Sequence, residues 1–550
     1  MSSMATATTV ETSSTATETA SPVRRIIRVR PEAMNGFETF LRQRGDAIIR
    51  IHRRISAFTV DTPRISELAA NPDIRSISID APLKAHQAVT AARSAEIVRT
   101  SIGVSSRWTG KGVGVAVIDS GIAPSQDVQG RIVAFYDFTR GDKPAAPYDD
   151  YGHGTHVAGL IAGSGALSGG AFRGVAPGAH VLGLKALDHN GSGRTSDVIA
   201  AIEFAVENRT AFGIHIINLS LGHAPVEPAG DDPLVAAVED ATRAGLVVVA
   251  SAGNYGRNPS TGQVGYAGIA SPGNSPSAIT VGSLMTQDTV TARDDRVNGF
   301  SSRGPSYFDG FAKPDIIAPG YRLIAPAARS STLYKNYPKL RVGTDYLMLS
   351  GTSMSAAVTS GMVATLIEAS RSTNSGAALT PNAIKAVLQH TASRLRDDNG
   401  AYYDYLTQGA GSLNGAGAVQ LAHAIRVNTA VGQPWIDPLL GSNSGSSTIE
   451  GEAVVWGNAV VWGNAVVWGN TLTINQSAWA SAVVWGNAVV WGNAVVWGNN
   501  VVWDDSGVWG NAVVWGNAVV EGNAVVWGNN DPSALTGNSI WGNAFSGDLP

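Results

Sequence analysis

Short apolar runs alternate with helix-like segments from about residue 100 to about residue 430, and this alternation limits the fold more than any other feature. The runs contain few polar residues, which indicates strands buried on both faces, as in a parallel sheet. The pattern predicts a three-layer α/β domain with a mainly parallel sheet. Strands are predicted at residues 114–118, 181–184, 214–219, 246–250 and 278–281, and helices at residues 153–162, 196–207 and 233–243.

Changes in composition divide the 550 residues into five predicted segments. The first is rich in Ser, Thr, Ala and Glu, and it lacks the basic start and apolar centre of a secretory signal. We expect it to be disordered, because it has too few apolar residues to form a core. The predicted segments are a leader at 1–22, a small unit at 23–90, the α/β domain at 91–430, a Gly/Ser-rich linker at 431–451 and a repeat tail at 452–550.

The small unit has the pattern of a compact α+β fold. Strand-like and helix-like stretches follow one another in the order β-α-β-β-α-β, which predicts a ferredoxin-like arrangement. About 60 residues are marginal for independent stability, so such a unit would gain from docking on a larger partner.

Three separated segments of the α/β domain place a reactive side chain beside glycine. Asp119 ends an apolar strand, His153 lies between two glycines at the start of a helix, and Ser353 precedes a helix of small residues. Acyl transfer needs these types: a serine nucleophile, a histidine that takes its proton and a carboxylate that orients the histidine. Asn254 ends another strand, where its amide would donate to a developing oxyanion together with the backbone N–H of Ser353.

These four segments each resemble a motif of the subtilase family, peptidase family S8, and the chain order Asp, His, Ser is that of subtilisin. Residues 218–222 and 313–320 agree with the family as well, so the resemblance covers roughly residues 100–425. It implies a subtilisin-like serine endopeptidase that works through an acyl-enzyme and needs no cofactor for catalysis. One departure is the run of small residues after Met354, where the family usually has a proline.

The resemblance also implies where a substrate would bind. A protein or peptide substrate would lie as a strand between two edges, and the residue before the scissile bond (P1) would enter a pocket (S1). A glycine at the base of this pocket leaves space, which predicts broad specificity with a preference for large apolar P1 residues. The implied edges are Gly191, Ser192, Gly193 and Ser220, Leu221, Gly222; the implied wall is Ala252 and Gly253; the implied base is Gly265.

The segment 23–90 resembles the inhibitory propeptide that precedes subtilases, and the resemblance implies a precursor that processes itself. In the family this unit assists folding and leaves its C-terminal end in the active site. Self-cleavage is therefore expected somewhere near residues 83–98, without a defined bond.

Several partners and cofactors are disfavoured by composition. The net charge of −4 gives no electrostatic reason to expect nucleic acid, and no apolar run is long enough to predict a membrane span. Without cysteine there is no disulfide, thiol or cysteine-ligated metal site. His156 lies three residues after His153 but lacks a third ligand, so no metal site is predicted. Structural calcium is possible for the family, yet residues 164–174 offer no Asp, Glu or Asn to bind it.

The tail repeats the unit Ala-Val-Val-Trp-Gly-Asn and holds 12 of the 14 tryptophans. Strand-forming residues and a Gly-Asn turn predict either an antiparallel meander or a β-solenoid with three hexapeptides per turn. A sticky tail without fixed structure is the third alternative. The tail would bind a cell envelope or associate with itself.

Two functions from different classes remain. The first is an extracellular or cell-surface endopeptidase, although no signal peptide is evident. The second is a binding or assembly protein that acts through the tryptophan-rich tail, with the α/β domain as a scaffold.

Overall fold

The computed structural model describes residues 23–86, 97–258, 261–374, 376–427, 446–449 and 451–455, with short strands between 459 and 536. The predicted leader and most of the predicted linker lie outside these residues. Two compact units are present, Met1–Asp80 and Ala81–Pro550. The boundary therefore precedes the end of the predicted propeptide segment, and the strand Pro82–Ala85 belongs to the second unit.

The first unit is a four-stranded antiparallel sheet with two helices. Its core is formed by buried apolar residues from both helices and the sheet, among them Ile27, Phe37, Leu41, Phe58 and Leu68. The longer helix ends at Gly45, which adopts the left-handed conformation that favours glycine. In chain order the elements are Val23–Val29, Met34–Arg44, Ala47–His52, Ala57–Thr62, Ile65–Leu68 and Ile74–Ile79.

The second unit is built around a nine-stranded sheet, of which the central strands are parallel and two edge strands antiparallel. This confirms the predicted mainly parallel α/β sheet. The parallel strands are Gly114–Asp119, Ile132–Asp137, His180–Lys185, Ile214–Leu219, Val247–Ser251, Ile279–Met285 and Ile316–Pro319. The longer helices are His153–Ala162, Thr195–Glu207, Pro233–Arg243, Thr352–Thr373, Pro381–Thr391 and Gly415–Ala424.

Three of these elements are named here for the site that they build. The aspartate strand is Gly114–Asp119, the histidine helix is His153–Ala162 and the serine helix is Thr352–Thr373. The aspartate strand lies between two parallel neighbours, and all six of its residues are buried. Because the carboxyl ends of parallel strands meet at one edge of a sheet, Asp119 and the loops after neighbouring strands come together there.

The described strands of the tail pair in two ways. Ala459–Trp462 and Ala465–Trp468 form an antiparallel hairpin, as in a meander. Ala494–Trp497 pairs in parallel with Ala512–Trp515, which pairs in parallel with Ala524–Trp527. The first parallel pair joins residues three hexapeptides apart, which is the spacing of the solenoid alternative. The segments between the described strands of the tail lie outside the described residues.

Candidate active site

A buried hydrogen-bonded pair, His153 and Asp119, joins the aspartate strand to the histidine helix. His153 Nδ1 lies 2.8 Å from Asp119 Oδ1 and 3.0 Å from Asp119 Oδ2, and neither side chain is exposed. The Nδ1–H donates to the carboxylate, so the ring is held in the tautomer that leaves the lone pair on Nε2. Nε2 is buried and has no hydrogen-bond partner among the described residues, which keeps it available to accept a proton.

Asp149, four residues before His153 in the chain, fixes the start of the histidine helix. Its carboxylate is buried and accepts hydrogen bonds from Ser120 Oγ, from the backbone N–H of Gly152, and from the N–H and hydroxyl of Thr155. Burial raises the pKa of Asp149, and the hydrogen bonds from Thr155 and Gly152 oppose that rise. These bonds tie the end of the aspartate strand to the helix that carries His153.

The neighbouring Asp150 is partly exposed and pairs with a buried lysine. It forms an ion pair with the buried Lys185 at 2.7 Å, and Lys185 Nζ also donates to the carbonyl oxygens of Ser120 and Leu187 at 2.7 Å each. Only glycine fits at position 154, directly after the histidine, because a Cβ there would lie 2.2 Å from the carbonyl oxygen of Gly121. The strand end and the helix start therefore approach too closely for any side chain.

Ser353 lies in the first turn of the serine helix and is buried. Its hydroxyl donates to the carbonyl oxygen of Ser220 at 2.9 Å, while Ser220 Oγ donates to the carbonyl oxygen of Ser353 at the same distance. These two bonds hold the edge residue Ser220 against the serine helix. Rotation of the Ser353 side chain about χ1 would move its hydroxyl from the carbonyl oxygen of Ser220 toward a base.

Asn254 and the N–H of Ser353 are the two donors expected for an oxyanion. Thr352 orients Asn254, because its N–H and hydroxyl donate to Asn254 Oδ1 at 3.1 and 3.0 Å. The other end of the amide, Nδ2, is buried and unpaired within the part of the chain that the structure describes. An unpaired buried donor is costly, which is typical of a group that acts on a ligand or transition state.

The two predicted substrate edges enclose a strand of the chain itself, Pro82–Ala85, called here the inserted strand. It is antiparallel to Ser192–Arg194 on one side and to Leu221–Gly222 on the other. Beyond the ladder, the N–H of Ala85 donates to the carbonyl oxygen of Gly191 at 3.1 Å. The structure thus brings Gly191, Ser192, Gly193, Ser220, Leu221 and Gly222 together around one extended segment.

His86 follows the inserted strand and reaches the reactive residues. Its N–H donates to the carbonyl oxygen of Ser220 at 3.3 Å, and its carbonyl oxygen accepts from the N–H of Ser353 at 3.4 Å. Its ring is buried, with Nδ1 2.8 Å from Ser251 Oγ. Ser251 directly precedes the predicted wall residues Ala252 and Gly253, so the His86 ring contacts the start of the segment implied to line the S1 pocket.

Gly265, the predicted base of the pocket, lies in a loop where its N–H donates to the carbonyl oxygen of Gly256 at 3.0 Å. A Cβ on Gly265 would meet only the carbonyl oxygen of Tyr255, at 3.7 Å, so the glycine leaves open space as expected. The His86 ring lies against Ser251, Gly222 and Tyr255.

Metal binding has little support in this region. His156 is buried and its Nε2 donates to the carbonyl oxygen of Leu323 at 3.0 Å, which is a structural role. Asp127, beside the 164–174 loop, accepts from the N–H of Leu167 at 2.9 Å and from the hydroxyl of Tyr346 at 2.6 Å. These bonds tie Asp127 to the loop 164–174 and to Tyr346. Within the described ranges, no cluster of three or more His, Asp or Glu has a metal-binding arrangement.

Four residues of the site were missed by sequence reasoning. Ser120 and Asp149 lie inside recognised motifs, but only their long-range partners show that they position the histidine helix. Thr352 directly precedes Ser353 and orients Asn254. Ser251 directly precedes the predicted pocket wall, and nothing in the neighbouring sequence indicates its contact with His86. Their types, small hydroxyl residues and one acid in a loop, are common throughout the chain.

The sequence is similar to known proteins over most of its α/β domain. The model of the subtilase family (Peptidase S8) matches residues 110–418. The chain is 38% identical over 361 residues to the serine protease AprX of Bacillus subtilis strain 168, which covers 64% of this chain and 76% of that protein. It is 32% identical over 313 residues to subtilisin DY of Bacillus licheniformis, covering 57% and 93%. The chain therefore belongs to the subtilase family and is a subtilisin-like serine endopeptidase.

A solved structure shares the fold. Fervidolysin from Fervidobacterium pennivorans, described as a keratinolytic enzyme related to subtilisin, aligns with a TM-score of 0.57 at 21% identity. The match covers 75% of this chain and 62% of that one. No helix among the described residues is both long and apolar enough to cross a membrane.

Proposed function

We propose that this chain is the precursor of an endopeptidase that hydrolyses peptide bonds inside proteins with broad specificity and matures by cleaving itself. The inserted strand carries the proposal, because a segment of the chain lies along the substrate edges with a carbonyl oxygen at the N–H of Ser353. The complete set of reactive residues disfavours a purely non-enzymatic binding protein.

The proposed reaction proceeds through an acyl-enzyme. Ser353 Oγ attacks the carbonyl carbon of the scissile bond while His153 Nε2 takes its proton, and Asp119 stabilises the imidazolium. Asn254 Nδ2 and the N–H of Ser353 donate to the oxyanion. His153 then gives the proton to the leaving amine, the C–N bond breaks, and water hydrolyses the ester by the same route in reverse.

The specificity follows from the edges and the pocket. Backbone hydrogen bonds to the two edges hold any extended segment, which supports broad specificity. The space beside Gly265 supports a preference for large apolar P1 residues, as in a pocket that accepts an entire aromatic ring. A cleavage profile restricted to Arg or Lys at P1 would contradict this.

Further proposals concern the segments that flank the catalytic domain. Residues 23–90 would act as an intramolecular inhibitor, which the occupied substrate edges support. We assign the mature enzyme to the outside of the cell or its surface, and the tryptophan-rich tail to binding the cell envelope or another copy of itself. Catalysis would need no cofactor, and calcium would at most stabilise the fold.

The test is a comparison of the full chain with its Ser353→Ala variant, both prepared free of other proteases. The wild type is expected to hydrolyse casein and to shorten from its precursor length, whereas the variant should do neither. Shortening that persists in the variant would overturn self-processing. A wild type that hydrolyses no protein or peptide would overturn the proposed endopeptidase function itself. A truncation near residue 440 that keeps full activity on small peptides would show that the tail is accessory.

A further inference from the structure

The inserted strand has a single register, and it selects one peptide bond. The N–H groups of Ala85 and His86 donate to the two opposite edges, at Gly191 and Ser220, with distances of 3.1 and 3.3 Å. The carbonyl of His86 then faces the N–H of Ser353 at 3.4 Å. A carbonyl at an oxyanion donor belongs to the bond that is attacked, so this register places the bond after His86 at the nucleophile.

The side chain of His86 fits its pocket through one specific polar contact. Ser251 Oγ, itself fully buried, shares a hydrogen bond of 2.8 Å with Nδ1. Gly222 leaves room for the ring, since a Cβ there would lie 2.7 Å from His86 Cε1. Tyr255 presents its ring edge-on with the centroids 6.2 Å apart. The pocket thus combines the shape for a flat ring with one buried hydroxyl.

The surroundings of this ring oppose a positive charge. Burial is the largest cause, followed by charge repulsion from His153 on the histidine helix and from His223 after the second edge, and together they lower the pKa of His86 to about 3. Lys84 on the inserted strand is exposed. A hydrogen bond with the backbone of Gly222 acts in the opposite direction and is the smallest of these effects on the pKa. His86 Nε2 is buried with no hydrogen-bond partner among the described residues. The pocket therefore accepts the neutral imidazole and rejects the imidazolium.

We propose that the chain first cleaves itself between His86 and Gln87, and that Ser251 allows a pocket for large apolar side chains to accept a neutral histidine at P1. The inference rests on the proposed endopeptidase function and names the first peptide bond that the enzyme would cleave. In the reaction Ser353 Oγ bonds to the carbonyl carbon of His86, and Gln87 leaves as a free amine with the proton carried by His153. Water then releases His86 as a carboxylate.

A time course of self-cleavage with intact mass measurement tests the bond. The earliest two fragments whose masses sum to the full chain plus one water are expected to be residues 1–86 and 87–550. A first complementary pair that splits at any other bond overturns the inference and leaves the endopeptidase function in place. If no fragment forms and no peptide is hydrolysed, both the proposed function and this inference fail.

Two peptide substrates that differ only in P1, His against Phe, test the role of Ser251. The ratio of kcat/KM for the His peptide to that for the Phe peptide is expected to fall about tenfold in Ser251→Ala, because the imidazole loses its buried hydrogen bond. Thr242→Ala removes a hydroxyl that bonds within its own helix, to the carbonyl oxygen of Val238, and should leave the ratio unchanged. An equal loss for both peptides in Ser251→Ala would overturn the assigned role.

The ratio of kcat/KM for the His peptide to that for the Phe peptide also isolates the effect of pH on the P1 side chain. Protonation of His153 affects both peptides alike and cancels, whereas the free His peptide becomes charged below its ordinary pKa of about 6.5. The ratio should therefore fall about tenfold between pH 7.5 and pH 5.5, as the neutral fraction does. A ratio that stays constant or rises on acidification would contradict a pocket that selects the neutral ring.

Discussion

The two halves of the active site satisfy their buried polar atoms in different ways. In the aspartate–histidine half, the carboxylates of Asp119 and Asp149 accept several hydrogen bonds from the protein. In the serine–oxyanion half, the donor Nδ2 of Asn254 has no partner within the described part of the chain, and Ser353 donates to a backbone oxygen instead of a base. The aspartate–histidine half is fixed by these bonds, while the serine–oxyanion half keeps Asn254 Nδ2 free for a charge that develops only during the reaction.

This contrast predicts that substitutions in the aspartate–histidine half, outside His153 and Asp119 themselves, will mainly reduce stability. Substitutions in the serine–oxyanion half will mainly reduce turnover. Stability is best measured in the Ser353→Ala background, where self-digestion cannot occur. Turnover is best measured with a small peptide, because binding of a long substrate along both edges would mask the chemical step.

The largest effect is expected for Asn254→Ala. Loss of one oxyanion donor should lower kcat by about 10²–10³-fold with little change in KM, because the lost bond forms only in the transition state. Asn399→Ala, a change at an exposed loop asparagine, is the matched control and should keep wild-type kcat. A rise in KM with an unchanged kcat would mean that Asn254 binds substrate instead of stabilising the oxyanion.

Asp149→Ala should be the most destabilising change in the aspartate–histidine half. It leaves the buried donors of Ser120, Gly152 and Thr155 without an acceptor, and we expect a loss of about 3 kcal/mol in the free energy of unfolding. Urea unfolding measures it, with the exposed Glu207→Ala as a control expected to stay within about 0.5 kcal/mol of the parent. If both variants unfold alike, the network does not hold this half together.

The buried His156 predicts how this half responds to acid. Burial lowers its pKa to about 3 in the folded protein, whereas in the unfolded chain it is about 6.5. Between these values the unfolded state binds the extra proton, so this contribution to stability is complete above pH 6.5 and is lost as pH falls toward 3.

Replacement of His156 by Gln, which keeps a donor for the carbonyl oxygen of Leu323, should flatten the dependence of unfolding free energy on pH by up to about 1.4 kcal/mol per pH unit. Urea unfolding at a series of pH values from 7 to 4 measures the slope. His189→Gln, at an exposed histidine, should leave the slope unchanged. A slope equally steep in both variants would show that His156 does not carry this proton.

The smallest effect is expected for Thr352→Val, which keeps the backbone donor to Asn254 Oδ1 and removes the hydroxyl donor. The amide would be less firmly oriented, so kcat should fall about tenfold. Thr359→Val, further along the same helix, is the control. It removes a buried hydroxyl that has no hydrogen-bond partner among the described residues, and it should leave kcat nearly unchanged. In an Asn254→Ala background the Thr352→Val change should have no further effect on kcat, and an additive loss would contradict its positioning role.

The sequence predicted those parts of the site that local patterns encode. The histidine helix and the helix Pro233–Arg243 have the predicted bounds, and the latter begins with Asp232 as its side-chain cap and a proline in the first turn. Asp119 lies at the end of an apolar strand, as predicted. The parallel sheet then places it with the loops of distant segments, as the fold class implies.

What could not be predicted depends on contacts between distant residues. Asp149 and Asp150 look like two loop acids until Ser120 and Lys185 are brought to them from other strands. His86 carries no motif, and only the register of the inserted strand identifies its carbonyl. In the tail the local patterns are strong but do not select one structure, because identical hexapeptides favour several strand registers equally.

The central claim is that Ser353 is a nucleophile activated by His153, and labelling with a fluorophosphonate tests it most directly. The full chain, after maturation, is treated with the probe, digested and mapped by mass spectrometry, with His153→Ala as the control that lacks the base. We predict a single modified serine, Ser353, in the wild type and a greatly reduced rate of labelling in the control. Labelling at another serine, or none in a chain that has already released its N-terminal segment, would contradict the account.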